Sequence, residues 1–252
     1  MTARIPARTR YQGLAQIFDY NRPFYLRTAA GAIVTILLSV YVPPAIRIWI
    51  AFGTGIALFW TCSSLLVSHY VYDRSCLYRL GWLRGCLSRP PGRWINIHAG
   101  VDETSLAIYS IFPGSEGQII DIYDPRKMTE TSIRRARHIA GFSSSAADRQ
   151  GLPAPDDDFD AVFLIFAAHE LRRHEDRVQL FREVTRVLRR EGELVLLEHL
   201  RDWANFLAFG PGFLHFFSKR AWATAANSAG LRIGLHSTVT PFVHVFVLQK
   251  SE

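Results

Sequence analysis

DDDFDAVFLIFAAHEL, residues 156–171, decides how this chain folds. After Asp160 the run to Phe166 is apolar at every position, the pattern of a strand buried on both faces. Similar short runs lie at 94–98, 118–122 and 193–198, with helical patterns such as Met128–His138 and Asp176–Leu188 between them. Strands separated by helices imply right-handed crossovers and a parallel sheet. The chain closes differently: residues 231–237 and 242–249 are two β-rich runs joined by a short Thr-Pro turn, which predicts an antiparallel hairpin at the sheet edge. The expected architecture is therefore a doubly wound, mostly parallel α/β sheet.

Upstream of this domain the chain changes character. Thr28 to Val42 is a run of fifteen uncharged residues closed by Pro43-Pro44, and Ile48 to Tyr72 is a run of twenty-five. At 1.5 Å per helical residue the second reaches about 37 Å against about 30 Å of hydrocarbon, and the first about 22 Å unless Phe24, Tyr25 and a snorkelling Arg27 extend it. The pair predicts two transmembrane helices. The net charge of +7 is confined to the same third, since residues 1–93 carry eleven Arg and two Asp, leaving the rest slightly acidic. That distribution speaks against nucleic acid as a partner. Arginines 4, 8, 10, 22 and 27 precede the hairpin and 74, 79, 84, 89 and 93 follow it, whereas its turn holds only Arg47, so both ends and the α/β domain are expected in the cytoplasm. The boundaries expected are 1–27 for a basic cytoplasmic N-terminus, 28–72 for the hairpin, 73–93 for an interfacial linker and 94–252 for the domain. Three scattered cysteines, Cys62, Cys76 and Cys86, suit a reducing compartment; Cys76 and Cys86 also lie where lipidation would be possible.

Ligands of such sheets bind beyond the carboxyl ends of the strands. Four polar places lie there: WINIHAGVDETSL at 94–106, Asp121 at the end of QIID, Asp148 in ADRQGLP, and AAHEL after the opening strand. An acidic residue about twenty positions past a strand-to-helix loop suits a ribose, because a carboxylate accepts two hydroxyl hydrogen bonds at once. The sequence HELRRH resembles a zinc motif, but its histidines are five apart, about 140° out of line on a helix, so no metal is expected.

With those elements in place, residues 94–250 resemble the class I S-adenosylmethionine-dependent methyltransferases, near their quinone and small-molecule branch. DDDFDAVFLIFAAHEL is similar to that family's fourth motif and FREVTRVLRREGELVLLEHL, 181–200, to its following strand motif. The resemblance implies a Rossmann-like fold and S-adenosylmethionine as cofactor. It puts Asp121 at the ribose, Asp148 at the adenine and His98, Gly100 and Asp102 on the three loop glycines, with Asn96 in place of an acidic residue. Asp102 then stands where it can supply a carboxylate to the cofactor's ammonium group, and Tyr123 where it can cover the adenine. For proton transfer the candidates are His169, Glu170, Glu198 and His199. The aromatic stretch WANFLAFGPGFLHFFSKRAW, 203–222, lies where this family builds its acceptor pocket, so a small lipophilic substrate and contact with membrane lipids are expected. The alternative is a membrane protein that keeps the fold for cofactor sensing or partner binding without turnover.

Overall fold

The computed structural model describes residues 8–139 and 151–251, so Asp148 lies outside the described residues. The chain opens with an antiparallel helical hairpin, α1 (Gln12–Ser39) and α2 (Pro44–His69), the latter continuing through a π-turn at Tyr70–Arg74. Pro44 sits at the first helical position, where its missing N–H costs nothing. The Arg47 guanidinium donates to the carbonyls of Ser39 and Val42 and so satisfies acceptors left open at the end of α1.

The hairpin differs from its expected form in two ways. Helix α1 begins sixteen residues before the apolar run, because its start is capped from afar: the Asp73 carboxylate accepts from Gly13 N at 2.6 Å and Leu14 N at 3.0 Å. Residues 12–27 are thus helix docked on the domain. Where two membrane spans were expected, one described helical run, Pro44–Arg79, is long and apolar enough to cross a membrane. Helix α1 has the length, but its residues 19–27 carry Asp19, Arg22, Arg27 and an internal proline, Pro23.

After the short helix α3 (Leu83–Cys86) come β1 (Arg93–His98), α4 (Ser105–Ile111), β2 (Glu116–Asp121), α5 (Thr131–Ile139) and β3 (Phe159–Ile165). Then follow α6 (His174–Val187), β4 (Leu188–Glu198), α7 (Trp203–Phe209), α8 (Lys219–Asn227), β5 (Leu231–Thr240) and β6 (Val243–Lys250). The six strands form one sheet in the order β2-β1-β3-β4-β6-β5; the first four are parallel, and β6 is antiparallel to both β4 and β5. The mixed α/β sheet with its antiparallel edge pair is as expected. Strand order reverses between β1 and β3, so the crevice beyond their carboxyl ends is the topological switch point. Beside it, at the carboxyl ends of β1 and β2, register places His98 opposite Asp121.

Side-chain alternation splits the core. Ile95, Ile97, Val162, Leu164, Leu194 and Leu196 face α5, α6 and α8. Trp94, Ala161, Phe163, Val195 and Leu197 face the other way, where α4 has only seven residues to cover them. The remaining cover is Val71, Leu77, Leu80 and Leu83 from the segment after α2, all nearly or fully buried. This corrects the interfacial reading of 73–93: its leucines are core residues, because a sheet apolar on both faces must be covered on both. Leu83→Ala is therefore expected to cost about 2–5 kcal/mol, read as a lower unfolding midpoint in detergent. An unchanged midpoint would place Leu83 at a lipid surface.

Candidate functional site

At the donor end, the turn after β1 depends on Gly100. Its φ is +137°, a region that side chains rarely adopt, and a Cβ there would meet Ile133 Cγ1 at 3.3 Å. Bare backbone is thus kept at the one loop position that retains glycine. His98, at the end of β1, is largely buried; its Nδ1 has no hydrogen-bond partner and lies 3.9 Å from Asp121 Oδ1. Burial lowers its pKa, the nearby carboxylates opposing that only in part.

Asp121 is held more tightly than the sequence suggests. Its Oδ1 accepts from Tyr123 N at 2.9 Å, and its Oδ2 accepts from Arg137 Nη1 at 2.6 Å. Arg137, buried at the end of α5, also donates to Gly100 O at 3.1 Å and lies 4.1 Å from the centre of the Tyr123 ring. One guanidinium therefore ties together three of the positions expected to meet the cofactor. In the sequence this arginine reads only as a favourable charge at a helix C-terminus.

Asp102 is placed as a helix-start residue. Its Oδ1 accepts from Thr104 N at 3.1 Å and Ser105 N at 3.0 Å, opening α4, and from Asn96 Nδ2 at 3.3 Å. The carboxylate that lines the cavity from this loop is Glu103, which takes hydrogen bonds from Gln16 Nε2 at 2.7 Å and Tyr78 OH at 2.8 Å. Glu103 went unnoticed in the sequence because its partners come from helices far away in the chain.

At the acceptor end, β3 and β4 deliver their polar termini side by side. Phe166 takes φ +52°, unusual for a bulky residue, and releases the chain into the turn carrying His169. His169 Nδ1 is 2.7 Å from Glu198 Oε2, its backbone N–H donates to Glu198 Oε1 at 3.2 Å, and its Nε2 is 3.5 Å from Glu170 Oε1. Burial by itself favours the neutral ring, but the Glu198 carboxylate, helped by Glu170, outweighs it and raises the His169 pKa to about 10. His169 is thus an imidazolium at neutral pH. The same pairing overrides the burial of Glu170 and keeps that carboxyl below its usual range. Glu170 Oε2 is buried without a hydrogen-bond partner.

His199 has the opposite character. Its Nδ1 lies 2.7 Å from Phe242 O, which fixes that nitrogen as the donor, so Nε2 accepts from Tyr72 OH at 2.9 Å. Its ring is stacked between Phe166 and Phe216, and burial lowers its pKa to about 4. His215, T-shaped against His169, is also driven to about 4, by burial and then by the His169 charge.

These groups share one cavity of about 860 Å³, lined by His98 and Gly100 at one end and by His169, Glu170, Glu198 and His199 beyond them. It extends between α1 and α2 and is closed below by Phe209 and Phe216. The arrangement brings six of the ten expected residues, His98, Gly100, His169, Glu170, Glu198 and His199, to one space. Asp102, Asp121 and Tyr123 do not line it: Asp102 is tied to α4, and Asp121 and Tyr123 to Arg137, with the Asp121 side chain still 31% exposed.

Known proteins resemble this chain in sequence and in fold. Residues 118–196 match the family profile described as a methyltransferase domain. An uncharacterized methyltransferase of Bacillus subtilis is 29% identical over 113 residues, 44% of this chain and 42% of its own length. The ubiquinone/menaquinone biosynthesis C-methyltransferase UbiE of Citrifermentans bemidjiense is 27% identical over 109 residues, 42% of this chain and 45% of its own length. The chain therefore matches less than half the length of these curated relatives. In fold it is similar to human N-acetylserotonin methyltransferase, solved in complex with SAM, with a TM-score of 0.54 at 12% identity over 95% of this chain and 71% of that one. It is also similar to the pyocyanin biosynthetic protein PhzM, with a TM-score of 0.52 at 13% identity over 79% of this chain and 58% of that one.

Proposed function

We propose that this chain is a membrane-anchored, S-adenosylmethionine-dependent methyltransferase of lipophilic small molecules, with its α/β domain on the cytoplasmic side. The observation that carries the proposal is the single cavity joining the Gly100 turn to the charged cluster of β3 and β4 and then to the apolar hairpin. The matched segment 118–196 supports it, as do the methyltransferase relatives and the apolar run Pro44–Arg79.

The donor-end residues fit the cofactor at two points. Gly100 leaves room for close approach, and each Asp121 oxygen, with one donor apiece, retains acceptor capacity for a ribose hydroxyl. Asp148, outside the described residues, is assigned to the adenine on the resemblance alone. When bound, S-adenosylmethionine supplies a methyl group on a positively charged sulfur. The acceptor would gain that methyl group and pass its proton to Glu170 Oε2, leaving neutral S-adenosylhomocysteine. Alignment and exclusion of water are the main tasks of the protein.

The proton inventory redistributes the roles expected of the three acceptor-end residues. His169, already protonated at neutral pH, is not the base; it holds Glu170 ionised and pairs with Glu198. Glu170 Oε2, ionised and unpartnered, accepts a hydrogen bond from an acceptor hydroxyl or amine and orients it. His199 is neutral but already accepts the Tyr72 hydroxyl proton, so it positions the wall of the slot.

Incubating the full chain in bilayer nanodiscs with methyl-labelled cofactor and a total membrane lipid extract tests the reading. The expected result is label in an organic-extractable product with equal formation of S-adenosylhomocysteine. Cofactor binding without any transfer would overturn the enzymatic reading and leave cofactor sensing. Recovery of the chain in the soluble fraction after an alkaline wash of membranes would overturn the anchoring.

A further inference from the structure

Resting on that proposed activity, we infer that the hairpin is part of the substrate site: the space between α1 and α2 holds the apolar tail of the acceptor, and Gly53 with Ala57 sets how much tail is admitted.

The hairpin register is fixed by two side-chain contacts, Tyr25 OH to Ser64 Oγ at 3.5 Å near the domain and Thr35 Oγ1 to Thr54 Oγ1 at 3.2 Å further out. Cavity-lining residues fall between these contacts, Thr28 on α1 and Ile56, Ala57 and Trp60 on α2, and Gly53 lies one residue beyond the outer contact. From Ser68, beside the sheet, to Gly53 the cavity wall climbs fifteen residues of α2, about 22 Å at 1.5 Å per residue. If the apolar run is placed across a bilayer, this limb lies at hydrocarbon depth.

Three observations identify the occupant. The limb is continuous with the space in which methyl transfer must occur, so a molecule lying in it reaches the Gly100 turn without leaving the cavity. Its lower end presents Glu170 Oε2, a buried ionised acceptor without a partner, which calls for a hydrogen-bond donor on the head of the ligand. Its upper end is walled by small residues: Gly53 and Ala57 are exposed, and an added Cβ at Gly53 meets nothing within 4 Å. A ligand with a donor-bearing head and a long unbranched apolar tail satisfies both ends, and its tail needs no water-exposed route because the limb opens toward lipid. A compact apolar molecule leaves the upper limb unfilled.

The open space at Gly53 makes the test clean, because the first carbon of a new side chain there meets no protein atom within 4 Å, and leucine or phenylalanine favours a helix over glycine. The probe is pentadecylphenol carrying a photoreactive diazirine at the end of its chain, applied to the full chain in nanodiscs, with labelled positions mapped by mass spectrometry. Labelling is expected on the cavity-lining residues Phe24, Thr28, Gly53, Ile56, Ala57 and Trp60 of wild type, competed by unlabelled pentadecylphenol but not by phenol. In Gly53→Phe it should fall about tenfold, while Gly53→Ala keeps it and both variants bind S-adenosylmethionine as wild type does. Labelling spread over the outward residues Phe52, Phe59 and Leu66, or undiminished in Gly53→Phe, would overturn the tail subsite while leaving the methyltransferase reading intact. Failure of wild type to bind S-adenosylmethionine would instead sink that underlying reading.

Discussion

Replacing Glu198 by alanine is expected to lower the unfolding free energy by about 3–5 kcal/mol, because it strips the counter-charge from a buried imidazolium. Glu198 is 1% exposed and meets His169 through both its oxygens, one on the ring nitrogen and one on the backbone N–H. For a chain of this size the apparent midpoint should drop by roughly 10 °C. The pH dependence separates this from simple loss of packing. The folded pKa of His169, about 10, lies above the ordinary 6.5, so the pairing contributes fully below pH 6.5 and its contribution fades as pH rises through about 10. Wild type should therefore lose midpoint along the alkaline arm, and Glu198→Gln, which keeps the shape but not the charge, should lose it at lower pH. His199 works in the other direction: with its folded pKa near 4, its contribution is present above pH 6.5 and lost as pH falls through 4. An alkaline arm identical in wild type and Glu198→Gln would mean that His169 is not charged in the folded protein.

The second large effect falls on cofactor affinity. Asp121→Ala removes both the acceptor for a ribose and the partner of Arg137, and at charged hydrogen bonds worth about 1.5–3 kcal/mol each the dissociation constant should rise at least tenfold to a hundredfold. Because Arg137 is left buried without that carboxylate, some loss of stability accompanies the change. Asp121→Ala/Arg137→Met removes the buried guanidinium together with its carboxylate, so its stability should exceed that of Asp121→Ala while its affinity stays low. If the double variant instead regains wild-type affinity, Asp121 serves Arg137 alone and the ribose lies elsewhere.

How much of this could be read from residues alone follows from the range of the interactions. Strands β1 to β4 announce themselves as apolar runs because both sheet faces are covered, and the two-residue period inside them needs no partner to be visible. The edge hairpin and the switch-point crevice follow from element order. What local pattern cannot carry is pairing between distant segments. Asp73 starting α1 across sixty residues, Leu77, Leu80 and Leu83 filling the far face of the sheet, and Arg137 returning to Asp121 are each decided by the assembled fold. The His169 charge belongs to the same class, since Glu198 comes from the next strand. Asp102 shows the reverse case: helix-start chemistry is local, and the run from Asp102 to Ser105 already contains it.

The central claim, that the crevice at the ends of β1 and β2 binds S-adenosylmethionine, is tested most directly by titrating the cofactor into the full-length chain in nanodiscs and following heat of binding. The account predicts one saturable site per chain, weakened in Asp121→Ala and in Gly100→Val, whose branched side chain cannot hold the +137° backbone without strain. A titration of folded protein with no saturable heat, or with wild-type affinity in both variants, would contradict it.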